Sequence, residues 1–292
     1  MIKCSHNVIK LAKINTPENC VFCQNCGIIL FPSKNDKYSS TIKPIENESK
    51  TETDPIDIFL NSYKSTPFIP IQKDCIYAEK RPRAIKIINK LNKLYNYKEE
   101  IFFLALTYMD YIFKSIYSSK DSNLTNKQEE LYIINCLYLA EKFYDTDITT
   151  PPDFNLYLKN SIYSVEILDI KEYEVSSLKI LKYKLDQHSI YDILSGYMYN
   201  GFIFEKEIDI NSIYQLKFAY NYADKIFRDI IVSNIAIFYP PYLVAFVIIQ
   251  LTRKKFFDNK YMKKIKKFYG IKNEDYKECY EEVKTLLSKT KI

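Results

Sequence analysis

Five residues of metal-binding types lie within the first 26 positions of this 292-residue chain: Cys4, His6, Cys20, Cys23 and Cys26. Cys23 and Cys26 are three residues apart, and the glycine that follows them can adopt the positive φ of a tight turn. Zinc prefers four soft or borderline ligands in a tetrahedron. We therefore predict a structural zinc ion held by Cys4, His6, Cys23 and Cys26, with Cys20 either spare or replacing one of the first two.

The alternative is that these cysteines are free, buried thiols. The other three cysteines of the chain are widely scattered (Cys75, Cys136 and Cys279), which is not the pattern of a disulfide framework. A reducing, intracellular environment, nuclear or cytoplasmic, fits this distribution. The first ten residues lack the apolar region of a signal peptide, and no apolar run is long enough to suggest a membrane span.

A catalytic set is not evident in the sequence. The chain has only two histidines; His6 is a predicted zinc ligand, and His188 precedes a helical pattern as a connector residue. Neither a phosphate-binding loop nor a dinucleotide fingerprint occurs, and the chain has only 4 glycines. We predict that the protein is not an enzyme and has no small-molecule substrate.

Positive charge is concentrated at the C-terminal end. Residues 253–292 contain 13 Lys and Arg against 6 Asp and Glu, whereas the formal charge of the whole chain is +6. This basic region is either a solvated helix face with lysine stems on apolar surface or a contact for an acidic partner or nucleic acid.

Composition divides the chain into a cysteine-rich module at residues 1–32, a polar linker with a short helix at 33–66, and a helical remainder. Apolar residues recur at helical spacing from about residue 80. Five helices are predicted in the first half, at about 84–95, 99–113, 129–144, 153–160 and 166–183. The second and third of these are apolar nearly all round, which predicts that they are buried.

Two short motifs recur at nearly the same offset. Residues 108–114 read YMDYIFK and residues 222–228 read YADKIFR, while FYD at 143–145 is matched by FFD at 256–258. This recurrence suggests an internal duplication. It predicts a second five-helix unit at about 189–200, 212–229, 240–254, 260–270 and 274–289, in which Pro240-Pro241 opens the third helix.

Several motifs, taken in order, resemble those of the cyclin family: RAIKIINKL, FFLALTYMDYIF, CLYLAEKFYD, EYEVSSLKILKYKLD and, in the second half, IAIFYPPYLVAFVIIQLT. The resemblance implies an all-α fold of two tandem five-helix cyclin boxes, at residues 67–188 and 189–292, preceded by the zinc-ribbon-like module. It also implies a regulatory subunit that binds and activates a cyclin-dependent kinase through the first box.

In cyclins, a lysine that ends the third helix and a glutamate of the fifth form a polar pair at the kinase-binding surface. By their positions in the matching motifs, these residues are Lys142 and Glu174 here. Arg83 of the first helix, together with Phe143 and Tyr144 beside the lysine, completes the predicted partner-binding set. The alternative is that Lys142 lies on the surface and Glu174 is simply solvated.

The chain departs from the cyclin pattern at the first helix. That helix lacks the tryptophan and aspartate with which cell-cycle cyclins build a substrate-docking patch; Ile88 and Asn89 lie near those places. Docking of Arg-x-Leu substrates is therefore not expected. A zinc ribbon, a linker and two cyclin-like repeats also resemble transcription factor IIB. This alternative function would be binding of RNA polymerase and promoter DNA.

Overall fold

The computed structural model describes residues 8–10, 21–23, 29–30, 63, 66–118, 124–144, 166–199, 212–257, 271 and 273–290. Three short strands near the N-terminus form an antiparallel sheet in the order β1-β2-β3: Val8–Lys10, Val21–Cys23 and Ile29–Leu30. In the register of this sheet, Val8 is opposite Cys23 and Val21 is opposite Leu30. The sheet falls within the predicted cysteine-rich module.

The described part of the chain after residue 63 is helical. The helices are α1 (Ile76–Tyr95), α2 (Glu99–Tyr117), α3 (Asn126–Tyr144), α4 (Ile167–Ile180), α5 (Ile190–Tyr199), α6 (Ser212–Val232), α7 (Ile235–Phe238), α8 (Pro241–Phe256) and α9 (Asn273–Lys289). Most of the predicted helices coincide with one of these. The predictions at 153–160 and 260–270, and most of the linker helix, lie outside the described residues, and α7 was not predicted.

The core is organised around α3 and α8. Every residue from Leu131 to Ala140 is buried, as is every residue from Leu243 to Ile249, because both helices are apolar on all sides and are surrounded by neighbours. Helix α3 packs against α1, α2 and α4, while α8 packs against α5, α6 and α9. The predicted burial of α2 and α3 is confirmed, and Pro241 occupies the first turn of α8, as expected.

Helix α1 begins at Ile76, eight residues before the periodic stretch that starts at Ala84. Pro82 lies inside the helix, where its missing N–H leaves the carbonyl of Ala78 without its usual helical donor. The side-chain amide of Asn234 donates to that carbonyl at 2.9 Å. A bond from the second half of the chain thus replaces the helical bond, so the helix extends through the proline.

Candidate functional site

The strongest candidate site lies where α3 ends against α4. Nζ of Lys142 donates a hydrogen bond to Oε1 of Glu174 at 2.7 Å, and the side chains are 39% and 18% exposed. The ammonium also lies over the ring of Tyr138, 4.8 Å from its centroid. The hydrogen bond with Glu174 raises the pKa of Lys142 and outweighs the opposing effect of burial. The two charges therefore form a preformed polar pair that is still accessible from solvent.

Packing between α3 and α4 brings the pair together. The rings of Tyr132 and Tyr173 meet edge to face with centroids 4.8 Å apart, and the Tyr132 hydroxyl is 2.9 Å from Oγ of Ser176. A second ion pair, between Lys127 and Asp169, joins the same helices at 3.2 Å. Neighbouring side chains thus hold the register between α3 and α4 at several points, so Glu174 does not depend on Lys142 for its position.

Exposed apolar side chains occur at the end of α3 and on α4. Phe143 and Tyr144 are 43% and 45% exposed, and their rings meet edge to face, with centroids 5.6 Å apart. Val175 and Leu168 on α4 are also exposed. Large apolar groups grouped on a surface are typical of protein–protein contact sites. The structure pairs Lys142 with Glu174, and we call the surface around this pair the α3–α4 surface. Tyr144 lies instead toward α2 and α5, where burial, with Asp192 and Glu100 contributing, raises its pKa.

Arg83 lies elsewhere. Its guanidinium donates to Oε2 of Glu129 and to Oδ1 of Asn126, both at 2.6 Å, near the start of α3. Thirteen helical residues separate Glu129 from Lys142, which corresponds to about 20 Å along the helix axis. Glu129 also accepts hydrogen bonds from Lys80 and Tyr117, at 2.6 Å each. Arg83 is therefore part of an intramolecular network that joins α1, α2 and α3.

Sequence reasoning missed the fully buried arginine of α1, Arg81. Its Nε and Nη2 donate to the two carboxylate oxygens of Asp110 at 2.8 and 3.0 Å. Its remaining donors reach the carbonyls of Ser233 and Ile231, at 2.6 and 3.0 Å, in the second half of the chain. Burial opposes the charge, but Asp110 outweighs it and leaves the pKa of Arg81 raised. Arg81 therefore ties α1 to α2 and to the end of α6.

The repeated motif contains the aspartate that binds Arg81. Asp110 is the aspartate of YMDYIFK, and Asp224 is its counterpart in YADKIFR. Asp224 forms an exposed ion pair with Arg228 at 2.8 Å, whereas Asp110 meets the buried Arg81. The repeated motif marks Asp110, but α1 contains two arginines, Arg81 and Arg83, either of which could pair with it. Only the fold shows which one is buried against it.

Most of the predicted zinc site lies outside the described residues. Of the four ligands, the backbone of Cys23 belongs to β2, while Cys4, His6 and Cys26 are not described. Within the described residues, no cluster of three or more His, Cys, Asp or Glu could hold a metal ion. The zinc ion stays a prediction.

The basic C-terminal region is described only in part. Lys254 and Lys255 are exposed, but Arg253 at its start is fully buried and lies 5.4 Å from the centroid of the Phe257 ring. Arg253 is therefore part of the core, whereas Lys254 and Lys255 in the same turn of α8 are on its solvated side. None of the described helices combines the length and the apolarity needed to cross a membrane.

Comparison with known proteins finds a matching family model and similar solved structures. Residues 57–186 match the family model "Cyclin, N-terminal domain". The structure is similar to that of a viral cyclin from herpesvirus saimiri, with a TM-score of 0.51 and 14% sequence identity, over 80% of this chain and 95% of that one. A search of curated proteins finds no significant match.

Neither match favours the transcription factor IIB alternative. The structural likeness concerns the fold, because sequence identity at this level says nothing more. The family model covers the helices α1 to α4, which carry both the buried Arg81 junction and the α3–α4 surface. Residues 57–186 thus match a cyclin N-terminal domain, and the described helices have the cyclin fold.

Proposed function

We propose that this protein is a cyclin-like regulatory subunit that binds a cyclin-dependent protein kinase through the α3–α4 surface and stabilises its active conformation. The observation that carries the proposal is the 2.7 Å pair of Lys142 and Glu174, which is partly exposed and lies where α3 packs against α4. The match of residues 57–186 to the cyclin N-terminal domain supports it. In this proposal the protein is not itself an enzyme.

The chemistry of the pair suits a partner's main chain. The Lys142 ammonium has three N–H donors, of which one is directed at Glu174, and the carboxylate of Glu174 can accept further bonds from backbone N–H groups. A partner that covers the surface would exclude water and strengthen each of these bonds. A protein that binds the active form of a kinase better than the inactive form shifts the population toward the active form.

Replacing both members of the pair tests this proposal. The Lys142→Ala/Glu174→Ala variant is expected to bind the kinase about 100-fold more weakly, because the polar groups of the partner lose their bonds in a covered interface. The matched control is Lys127→Ala/Asp169→Ala, which removes the other ion pair between the same helices. Kinase recovered on the tagged protein, identified by mass spectrometry and followed by titration, gives the readout.

Two results would contradict the proposal. One is unchanged kinase binding by the Lys142/Glu174 variant, and the other is an equal loss in both variants. The second outcome would mean that α3–α4 packing in general matters, and not this pair. Circular dichroism of each variant excludes loss of the helical fold as the cause.

Further parts of the proposal concern the domain organisation, the N-terminal module and the C-terminal region. We propose that residues 67–188 and 189–292 are tandem cyclin boxes, that Cys4, His6, Cys23 and Cys26 hold one structural zinc ion, and that the protein is intracellular. Elemental analysis is expected to find one zinc per chain, and a value well below one would contradict the site. We also propose that the basic C-terminal region contacts an acidic partner or nucleic acid.

A further inference from the structure

A groove lies between α5 and α6 in the second half of the chain. Both helices pack against α8, and the groove between them has a volume of about 230 Å³. Its described lining is mostly aromatic and aliphatic, with Ser195, Asn221 and Asp224 among the polar side chains. A concave apolar site with a few polar groups is typical of ligand binding. Neither Lys142 nor Glu174 lines the groove.

The two helices that form the groove have the same register as α1 and α2. Helix α1 begins at residue 76 and α5 at residue 190, which is the same separation of 114 residues as between YMDYIFK and YADKIFR. The ring centroids of Tyr77 and Phe113 lie 5.5 Å apart, and those of Tyr191 and Phe227, each 114 residues further on, lie 5.9 Å apart. Positions with this separation can therefore be compared in the two pairs of helices.

At one of these positions, serine stands in place of arginine. In the first half, Arg81 donates to both carboxylate oxygens of Asp110. The counterparts in the second half are Ser195 and Asp224, and both line the groove. A serine side chain ends at the atom after Cβ, so it leaves open the space that an arginine side chain fills at the first site. The groove thus keeps the carboxylate without the guanidinium.

The carboxylate in the groove is only partly neutralised. Nε of Arg228 donates to Oδ2 of Asp224 at 2.8 Å, and Nη2 of the same arginine donates to Oε1 of Glu99 at 2.6 Å. Two carboxylates thus share one guanidinium, and one negative charge is left over. A carboxylate accepts several hydrogen bonds, so Asp224 can take further N–H donors while it is bound to Arg228.

The arginines of the chain itself do not fill the groove. The chain has four, Arg81, Arg83, Arg228 and Arg253, and none of them belongs to the described lining. Arg81 and Arg83 bind carboxylates of the first half, and Arg253 is fully buried. Arg228 bridges the two carboxylates at the edge of the groove. An arginine inside the groove therefore has to come from another molecule.

We propose that this groove binds an arginine side chain of a partner protein. The guanidinium takes the place that corresponds to that of Arg81, donates to Asp224 and neutralises the remaining negative charge. The apolar stem of the arginine packs against the half-buried Tyr191 and Met198. A water needs roughly 10–15 Å³ of such a site, so 230 Å³ has room for a whole side chain. This inference does not rest on kinase binding.

Binding of a short peptide to the purified full-length protein tests the inference. The probe is acetyl-Ala-Arg-Ala-amide, the matched control is acetyl-Ala-Lys-Ala-amide, and the backbone amide NMR shifts of Ser195 and Asn221 follow the titration. The arginine peptide is expected to bind saturably, with a Kd on the order of 1 mM. The lysine peptide should bind at least about 10-fold more weakly, because its ammonium lacks the planar fork that matches a carboxylate.

Variants locate the bound arginine. Asp224→Asn should weaken binding of the arginine peptide by at least about 10-fold, because a hydrogen bond to a charged group is lost. Glu281→Gln, which removes an exposed carboxylate of α9, should leave the binding unchanged. Arg228→Met removes the competing guanidinium, so this variant should bind the peptide about 2–5-fold more tightly, the range of an exposed ion pair.

Ser195→Arg supplies the arginine from the chain itself. This variant should no longer bind the peptide, and its melting temperature should be about 2–4 °C above that of the natural protein. The inference is overturned if the arginine peptide gives no saturable shift, if the lysine peptide binds equally well, or if Asp224→Asn or Ser195→Arg binds like the natural protein. Equal or weaker binding by Arg228→Met would overturn the role of the remaining charge. Self-association that Asp224→Asn abolishes, measured by analytical ultracentrifugation, would assign the groove to a second copy of the chain and overturn the assignment to a different partner.

Discussion

Two ion pairs in the helical body each join a basic side chain to a carboxylate, but one is buried and the other is partly exposed. Arg81 and Asp110 meet where α1 and α2 contact the end of α6, and Arg81 is completely buried there. Lys142 and Glu174 meet on the α3–α4 surface, where the lysine side chain is 39% exposed. The buried pair has its bonds satisfied within the chain, whereas the exposed pair keeps donors and acceptors available.

This difference separates a structural pair from a recognition pair. Removing one partner of a buried pair leaves a desolvated charge, which is far more costly than losing a solvated pair. The bonds from Arg81 to the carbonyls of Ile231 and Ser233 also make it a link between elements about 150 residues apart. Lys142 and Glu174 connect only α3 with α4, and other contacts already hold those two helices together.

The largest expected effect is at Arg81. Arg81→Met should lower the free energy of unfolding by about 3–5 kcal/mol, because Asp110 loses its counter-charge and keeps only the Tyr77 hydroxyl as a donor, while two carbonyls lose the guanidinium in the protein interior. Urea denaturation followed by circular dichroism measures the change. The control is Arg228→Met. Arg228 pairs with Asp224, the counterpart of Asp110 in the second motif, but this arginine is half exposed. Its replacement should lower the free energy of unfolding by less than about 1 kcal/mol.

A loss below about 1 kcal/mol for Arg81→Met would show that the junction is not held by this pair. The double variant Arg81→Met/Asp110→Leu sharpens the comparison. It removes both buried charges, so it is expected to be more stable than Arg81→Met alone.

Lys114 tests the cost of burying a lysine side chain that makes no ion pair with the residues that the structure describes. Its pKa is lowered from 10.5 to about 8, so between these two pH values the unfolded chain binds more protons than the folded one. The penalty for burying the ammonium is complete below pH 8 and is relieved as the pH rises. Relative to Lys114→Met, the free energy of unfolding should rise by about 2 kcal/mol between pH 7.5 and 9.5.

Urea denaturation at several pH values within that range measures this effect. A constant difference between the natural protein and Lys114→Met would contradict it. Buried tyrosines such as Tyr77 have raised pKa values. They therefore favour the folded state less as the pH rises further, and the measurement must stay below about pH 10.

The smallest effect on stability is expected at the α3–α4 surface. Lys142→Ala should change the free energy of unfolding by less than about 1 kcal/mol, because the pair is partly solvated. The same urea measurement checks it. A loss comparable to that of Arg81→Met would mean that the pair is structural, and would remove the contrast on which the proposed recognition role depends.

Much of the helical body could be predicted from the sequence. Apolar spacing located α2, α3 and α8, since a helix without a polar face has to be buried. The start of α1 could not be predicted in this way. Its extension through Pro82 depends on the amide of Asn234, which lies about 150 residues away. Local patterns do not report such distant hydrogen bonds.

For the site, the resemblance to cyclin motifs singled out Lys142, Glu174, Phe143 and Tyr144, and the structure pairs Lys142 with Glu174. The sequence by itself determined which residues carry charge and which helices are apolar. Only the tertiary structure decided that Arg81 is the buried arginine of α1, that Arg83 binds α3 at Glu129, about 20 Å along the helix from Lys142, and that the side chain of Lys114 is largely buried. The physical reason is that burial and pairing are set by neighbours distant in sequence, whereas helical periodicity is set by neighbours within one turn.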